Sequence, residues 1–169
     1  MNPSTQRLVL RDVAQALAGQ KVRRLVILNG HGGNDFKAIV RDVQAEVPAV
    51  FLCIVNWWTA VDAKPFFTQP GDHAGEMETS MLLHVAPELV LPLAEAGSGS
   101  ARKPRVAAMR DGWAWAPRRW TAVTDDTGVG DPSDSTAEKG ANFFRAATER
   151  ISGFLVELAQ TDPHDLYER

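Results

Sequence analysis

Two short segments carry the residue types that could do chemistry. The first, Asn29-Gly30-His31-Gly32-Gly33-Asn34, follows the apolar run Leu25-Val26-Ile27-Leu28 and precedes a helical pattern that begins near Asp35. A polar corner at the C-terminal end of a buried strand is where open α/β sheets place their ligands. Its glycines let the backbone turn tightly and approach a ligand closely. His31 is then the group on the corner able to bind a metal ion or move a proton. The spacing excludes a phosphate loop, because neither G-x-x-x-x-G-K-[ST] nor G-x-G-x-x-G occurs.

The second segment is His73-Ala74-Gly75-Glu76-Met77-Glu78-Thr79-Ser80. His73 is expected on the loop side of a helix N-terminus. Glu76 and Glu78 stand roughly 200° apart around that helix, so only one can face inward. Glu78 shares its side with Leu82 and Val85, which predicts that Glu76 points outward and favours the positive end of the helix dipole. Two readings of Glu78 stand: the same dipole contribution, or a half-buried carboxylate compensated by a metal ion. His84 lies on nearly the same helix face as His73 but about 16 Å away, so the two cannot share one metal. It reads as a packed or rim histidine, and His164, in the polar tail, as a solvated one. There is no H-E-x-x-H and no paired-cysteine zinc pattern. Trp58 follows a strand end and is the tryptophan best placed to line a pocket. His31, His73 and Glu78 are all predicted at one edge of the sheet. Zinc-type catalysis uses about three protein ligands and an open position, activates water and polarises a carbonyl. With a histidine to protonate a leaving nitrogen, hydrolysis of an amide is the natural chemistry.

The elements that must position these residues can be read from periodicity. The 169 residues predict a single domain, 1–169, with enough length for a proper core. Pro3-Ser4 and the spacing of Val9, Val13, Ala16 and Leu17 predict a helix ending at Gly19. Strands are predicted at Arg24–Leu28 and Val50–Val55, the latter apolar throughout, as for a strand covered on both faces. Between them Phe36, Ile39, Val40, Val43 and Val47 form a helical stripe stopped by Pro48. This α-β-α-β order implies a parallel sheet with right-handed crossovers. A third helix runs from about Gly75 to Val85. Ala94–Pro104 reads as a surface connection, and the stretch holding Trp113, Trp115, Pro117 and Trp120 has no clear element. Ser135 and Glu138 suggest a capping box for a last helix with the stripe Phe144, Ala147, Ile151, Phe154, Leu155 and Leu158.

Composition excludes several classes. A formal net charge of -3 gives no reason to expect nucleic acid or an anionic membrane as partner. The single cysteine, Cys53, sits in an apolar run as a structural thiol and rules out an internal disulfide, which suits a reducing cytoplasm. No apolar stretch is long enough to span a membrane, and no signal-peptide core is seen.

Val26-Ile27-Leu28-Asn29-Gly30-His31-Gly32-Gly33-Asn34, followed by His73-Ala74-Gly75-Glu76-Met77-Glu78-Thr79-Ser80, closely resembles the creatininase (creatinine amidohydrolase) family. Gly130-Asp131-Pro132-Ser133 with Thr136-Ala137-Glu138-Lys139-Gly140 resembles its C-terminal signature. The resemblance implies a three-layer α/β/α sandwich with a mostly parallel sheet. It also implies two divalent metal ions per site (zinc, manganese or iron) and hydrolysis of a C–N bond in a cyclic or linear amide. By the matching motifs His31 and Glu78 would be metal ligands and His73 the proton-transferring histidine. Trp58 would close over the substrate, with Asn34 also in contact with it. Gly32-Gly33 stands where creatinine-hydrolysing members carry Tyr-Glu, which favours another amide, such as a formamide or a peptide-like substrate. The implied partners are a small-molecule amide and further copies of the chain in a homo-oligomer.

One departure stands out. The family's first strand and its Glu-x-His pair with a later Asp have no counterpart here, and the chain resembles the family's C-terminal two-thirds. A truncated start is therefore expected, with weak metal binding and little hydrolysis by the chain alone. Without that strand an apolar sheet edge would be exposed, favouring strand-mediated association. The alternative expectation is an inactive remnant or an oligomerisation partner of the same family.

Overall fold

A computed structural model describes residues 1–168, in two compact units. The first comprises Met1–Ala60 and the chain from Glu149 onward; the second comprises Val61–Thr148.

In the first unit, α1 (Pro3–Gly19) opens with proline in its first turn, where the missing N–H costs nothing. The left-handed residue that closes it is Lys21, at φ 62°, one residue past the cap Gln20 rather than at Gly19. Val22 N–H then bonds back to the Leu17 carbonyl at 3.0 Å. β1 (Arg24–Asn29), α2 (Lys37–Glu46) and β2 (Phe51–Asn56) follow. The two strands pair in parallel from Arg24↔Phe51 to Asn29↔Asn56, the parallel pairing that the sequence predicts. Ile39, Val43 and Val47 of the expected stripe are buried with Ala14, Val50 and Leu52, and Leu10, Leu17, Leu25 and Phe36 pack against them.

One face of the strand pair is thus filled by α1 and α2. The other is less covered than the apolar run of β2 suggested, and Leu28 is 60% exposed. There Val55 and the residues after β2 meet Ile151 and Phe154 across a cavity of about 630 Å³. The outer edge of β2 is partly sealed. The Gln44 side chain donates to the Val50 carbonyl and accepts the Leu52 N–H, both at 2.8 Å, where a further strand would begin its ladder.

The second unit contains α3 (Glu76–Val85), two single-turn helices, α4 (Ala107–Arg110) and α5 (Trp120–Val123), and the start of α6 (Ala137–Gln160). Its core centres on Phe143, which meets Phe66 and Phe67 edge-on at 5.3 Å between ring centroids. The cap of α6 is Thr136 rather than Ser135: Thr136 Oγ1 accepts the Lys139 N–H, while the Ser135 hydroxyl donates to the Glu76 carbonyl. Ser135 is drawn away from its expected role because α6 starts against α3. The Thr136 N–H bonds Ser80 Oγ at 3.2 Å, and a Cβ on Gly140 would lie 1.9 Å from the Ser80 carbonyl oxygen.

Gly140→Ala therefore forces the two helices apart. It is expected to cost about 1–3 kcal/mol, read as a lower urea midpoint with an unchanged denaturant slope.

Candidate functional site

The corner after β1 is organised by Asn29, whose side chain is 2% exposed. The parallel register places it beside Asn56, and its Nδ2 donates to Asn56 Oδ1 (2.9 Å) and to the Asn34 carbonyl (3.2 Å). Its Oδ1 accepts from the His31 N–H (3.2 Å) and from Asn34 Nδ2 (3.3 Å). The amide thus uses both donors and both acceptor positions. One buried asparagine pins both ends of the glycine turn, a role the sequence reading did not assign to it.

His31 stands exposed on that turn, and its Nδ1 accepts the Gly33 N–H at 2.9 Å. In the neutral ring the proton then sits on Nε2. A Cβ at residue 33 would lie 2.9 Å from Nδ1, so this fold-back of the ring depends on glycine there. Trp58, in the single turn after β2, is placed so that a Cβ on Gly32 would lie 3.7 Å from its ring, and Trp57 Nε1 donates to the Gly30 carbonyl at 3.4 Å. The structure thus brings together His31, Trp58 and Asn34. The Asn34 amide, expected to contact substrate, is engaged by Asn29. Burial pushes the Cys53 thiol above its usual range, as a structural thiol requires.

The second segment is built on a three-glycine contact. Gly71 (φ 79°) and Gly130 (φ 132°) approach Gly75 so closely that a Cβ on Gly71 would lie 2.8 Å from the Gly75 Cα. This lets the His73 backbone lie against Val129. His73 N–H donates to the Val129 carbonyl (3.0 Å), and Val129 N–H donates back to the His73 carbonyl (2.8 Å). Ala74 takes a left-handed turn at φ 49°, and its N–H bonds Glu78 Oε2 at 2.7 Å. Glu78, at the third position of α3, thus ties the residue before the cap Gly75 back onto the helix. The same oxygen stands 4.0 Å from His73 Nδ1. A largely apolar groove of about 420 Å³ opens beside Ala74 and Glu78, walled by Leu82, Leu89, Leu91 and Leu93.

Glu76 corrects the sequence expectation. It faces inward and is 1% exposed, while Leu82 and Val85, on the side of Glu78, are 38% and 54% exposed. Helical phase separates the two glutamates correctly, but the buried side is the one that meets α6. There Lys139 Nζ lies 2.5 Å from Glu76 Oε1 and also donates to the Asp134 carbonyl at 2.8 Å. The Gln69 N–H bonds the other carboxylate oxygen at 2.7 Å. Burial pushes the Glu76 carboxyl up, but the Gln69 N–H, the bond and charge of Lys139, and the Thr68 N–H together outweigh it and hold it below its usual value.

Trp120, which the sequence left unplaced, packs on the His73 ring with centroids 4.8 Å apart. His84 sits edge-on to Phe144, the packed histidine that was expected. Among the described residues no group of three or more His, Cys, Asp or Glu side chains could hold a metal ion.

Comparison with known proteins gives these corners a context. The family model described as creatinine amidohydrolase (Creatininase) matches residues 1–155. A Mycobacterium ulcerans protein named mycofactocin precursor peptide peptidase is 34% identical over 144 residues, covering 83% of this chain and 50% of the relative. One of the same name from Mycolicibacterium smegmatis is 31% identical, covering 86% and 53%. The chain spans about half the length of the curated relatives it matches. A crystal structure from Bacteroides fragilis, provisionally named a creatinine amidohydrolase, is 42% identical with a TM-score of 0.91, covering 99% of this chain and 65% of that one. A creatininase variant in its zinc–zinc form shares the fold at 20% identity and a TM-score of 0.73, covering 95% and 66%.

The Glu76–Lys139 pair sets a pH dependence. Because the folded carboxyl titrates below its unfolded value, the unfolded chain binds more protons between the two. The stabilisation is complete above about pH 4.5 and is lost as pH falls through the folded value. Denaturant unfolding across that window is expected to show a slope that Glu76→Gln flattens. Lys139→Met, which strands the carboxylate, is expected to cost about 3 kcal/mol at neutral pH.

Proposed function

We propose a function from one premise: the chain belongs to the creatininase family. Its reaction is then hydrolysis of an amide C–N bond, and the substrate we assign is a peptide-like amide rather than creatinine. The observation that carries this reading is His73, with its backbone fixed by two hydrogen bonds to Val129 and its Nδ1 4.0 Å from a Glu78 oxygen. An amide nitrogen leaves only when protonated, and the attacking water must lose a proton. A single imidazole can do both in turn. Support for a peptide comes from the relatives named as peptidases, from Gly32-Gly33 adding no side chains of their own to the His31 corner, and from the apolar groove beside Glu78. Trp58 is assigned to cover the substrate on the His31 corner.

Zinc–zinc and manganese forms are recorded for creatininase structures, and such an ion would supply activation of water. In this chain His31 and Glu78 are the residues we assign to contact it. Two side chains are fewer than the roughly three protein ligands of a catalytic zinc site, so the described residues do not complete one. The steps assigned here are those of His73. The same shortfall favours a second reading, in which the chain lends its histidine corners to a site completed by another polypeptide.

The test is release of a free amine from short peptides and from creatinine, with the chain incubated with Zn²⁺ or Mn²⁺ and its metal content measured by mass spectrometry. Peptide cleavage that falls about 10²–10⁴-fold in kcat in His73→Ala is the expected result. Cleavage unaffected by that substitution, or a preference for creatinine, overturns it. No turnover together with no retained metal supports the second reading instead.

A further inference from the structure

We propose that Trp120 is a positioning residue for His73, braced from behind by Arg118 and Asp72. This deepens the hydrolytic reading of His73 and rests on it. The His73 backbone is locked to Val129 on both its N–H and its carbonyl, so its remaining freedom is rotation about two side-chain bonds. On one side the imidazole meets Glu78, 4.0 Å away. It also packs on the indole of Trp120 at 4.8 Å between centroids, with the planes inclined at 53°.

The indole is itself held. The Arg118 guanidinium lies 4.8 Å from the Trp120 ring centroid, a cation on an aromatic face. Arg118 also pairs with Asp72, the residue that precedes His73 in the chain. The contacts therefore close into a circuit, Asp72 to Arg118 to Trp120 to His73. The short helix that carries Trp120 is anchored at its far end, where the Arg102 N–H bonds the Val123 carbonyl at 2.7 Å.

Core filling does not account for this arrangement. Trp120 is 37% exposed, and Trp113 and Trp115 of the same irregular stretch are 79% and 84% exposed. A large ring held half in solvent by a cation, against a histidine with a locked backbone, fits alignment of that imidazole. Misplacing a catalytic group by about 1 Å costs on the order of 10² in rate, so a rigid wall beside the ring has a direct kinetic consequence.

The test uses the full chain with ¹³C-labelled histidine, the His73 ring signals being assigned by their loss in His73→Gln. Ring-current displacement of those signals by the indole should disappear in Trp120→Ala, persist in part in Trp120→Phe, and weaken in Arg118→Met. His73 signals that ignore Trp120→Ala and Arg118→Met overturn the proposal whether or not the chain is active. In peptide hydrolysis, Trp120→Ala should lower kcat about tenfold or more with KM within about twofold, and Trp120→Phe should recover most of it. A raised KM with unchanged kcat would make Trp120 a substrate contact and overturn the positioning role. Signals that respond as expected in a chain without turnover uphold the positioning and count against the hydrolytic reading alone.

Discussion

The second unit depends on one buried ion pair. Glu76 begins α3 and Lys139 lies in the first turn of α6, and each is held by further bonds to backbone. Burying a carboxylate this completely is costly unless a cation and donors surround it. Here Lys139 Nζ, the Gln69 N–H and the Thr68 N–H fill that role, while Lys139 also holds the Asp134 carbonyl. The pair therefore clamps two helix starts and the backbone at Asp134 together. Gly140 makes the clamp possible, because any side chain there would collide with the Ser80 carbonyl. The His73 loop hangs from the same place, since it enters α3 directly before Glu76.

The two histidine corners share a physical design. Each places its histidine beside glycines, one leaving room for the ring to fold back and the other letting backbones meet, then fixes the backbone with polar groups of its unit. At His31 the fixing group is a side-chain amide, Asn29, with all four of its hydrogen-bonding positions engaged. At His73 it is the backbone of Val129, reached through the contact of Gly71, Gly75 and Gly130. In both cases hydrogen bonds hold the histidine's main chain while neighbouring groups contact its ring.

Much of this was legible from the chain. The alternation of helix and strand, the parallel pairing and both glycine corners follow from period and punctuation alone. The family followed from His31, His73 and the Gly130 signature in order. The inward turn of Glu76 was not legible, because a helical wheel fixes which residues oppose each other but not which side meets the protein. Leu82 and Val85 pointed to the wrong side, and the residue that decides the matter, Lys139, stands sixty-three positions away. Lys139 lay inside a recognised motif without a role, and only its contact with a buried carboxylate supplies one. Trp120 was out of reach for another reason: it sits in a single-turn helix within an irregular stretch, where no periodicity exists to read. Ser135 lost its expected cap because tertiary contact with α3 competed for its hydroxyl.

The bond from the Gly33 N–H to His31 Nδ1 makes the first corner self-occupied. Any electron-pair acceptor that approaches this nitrogen competes with the chain's own amide, and capture at Nε2 would first require the ring proton to cross to Nδ1. A ligand that binds His31 through Nδ1 must therefore break the Gly33 N–H bond first. The free energy of that bond is subtracted from whatever the imidazole itself contributes to binding.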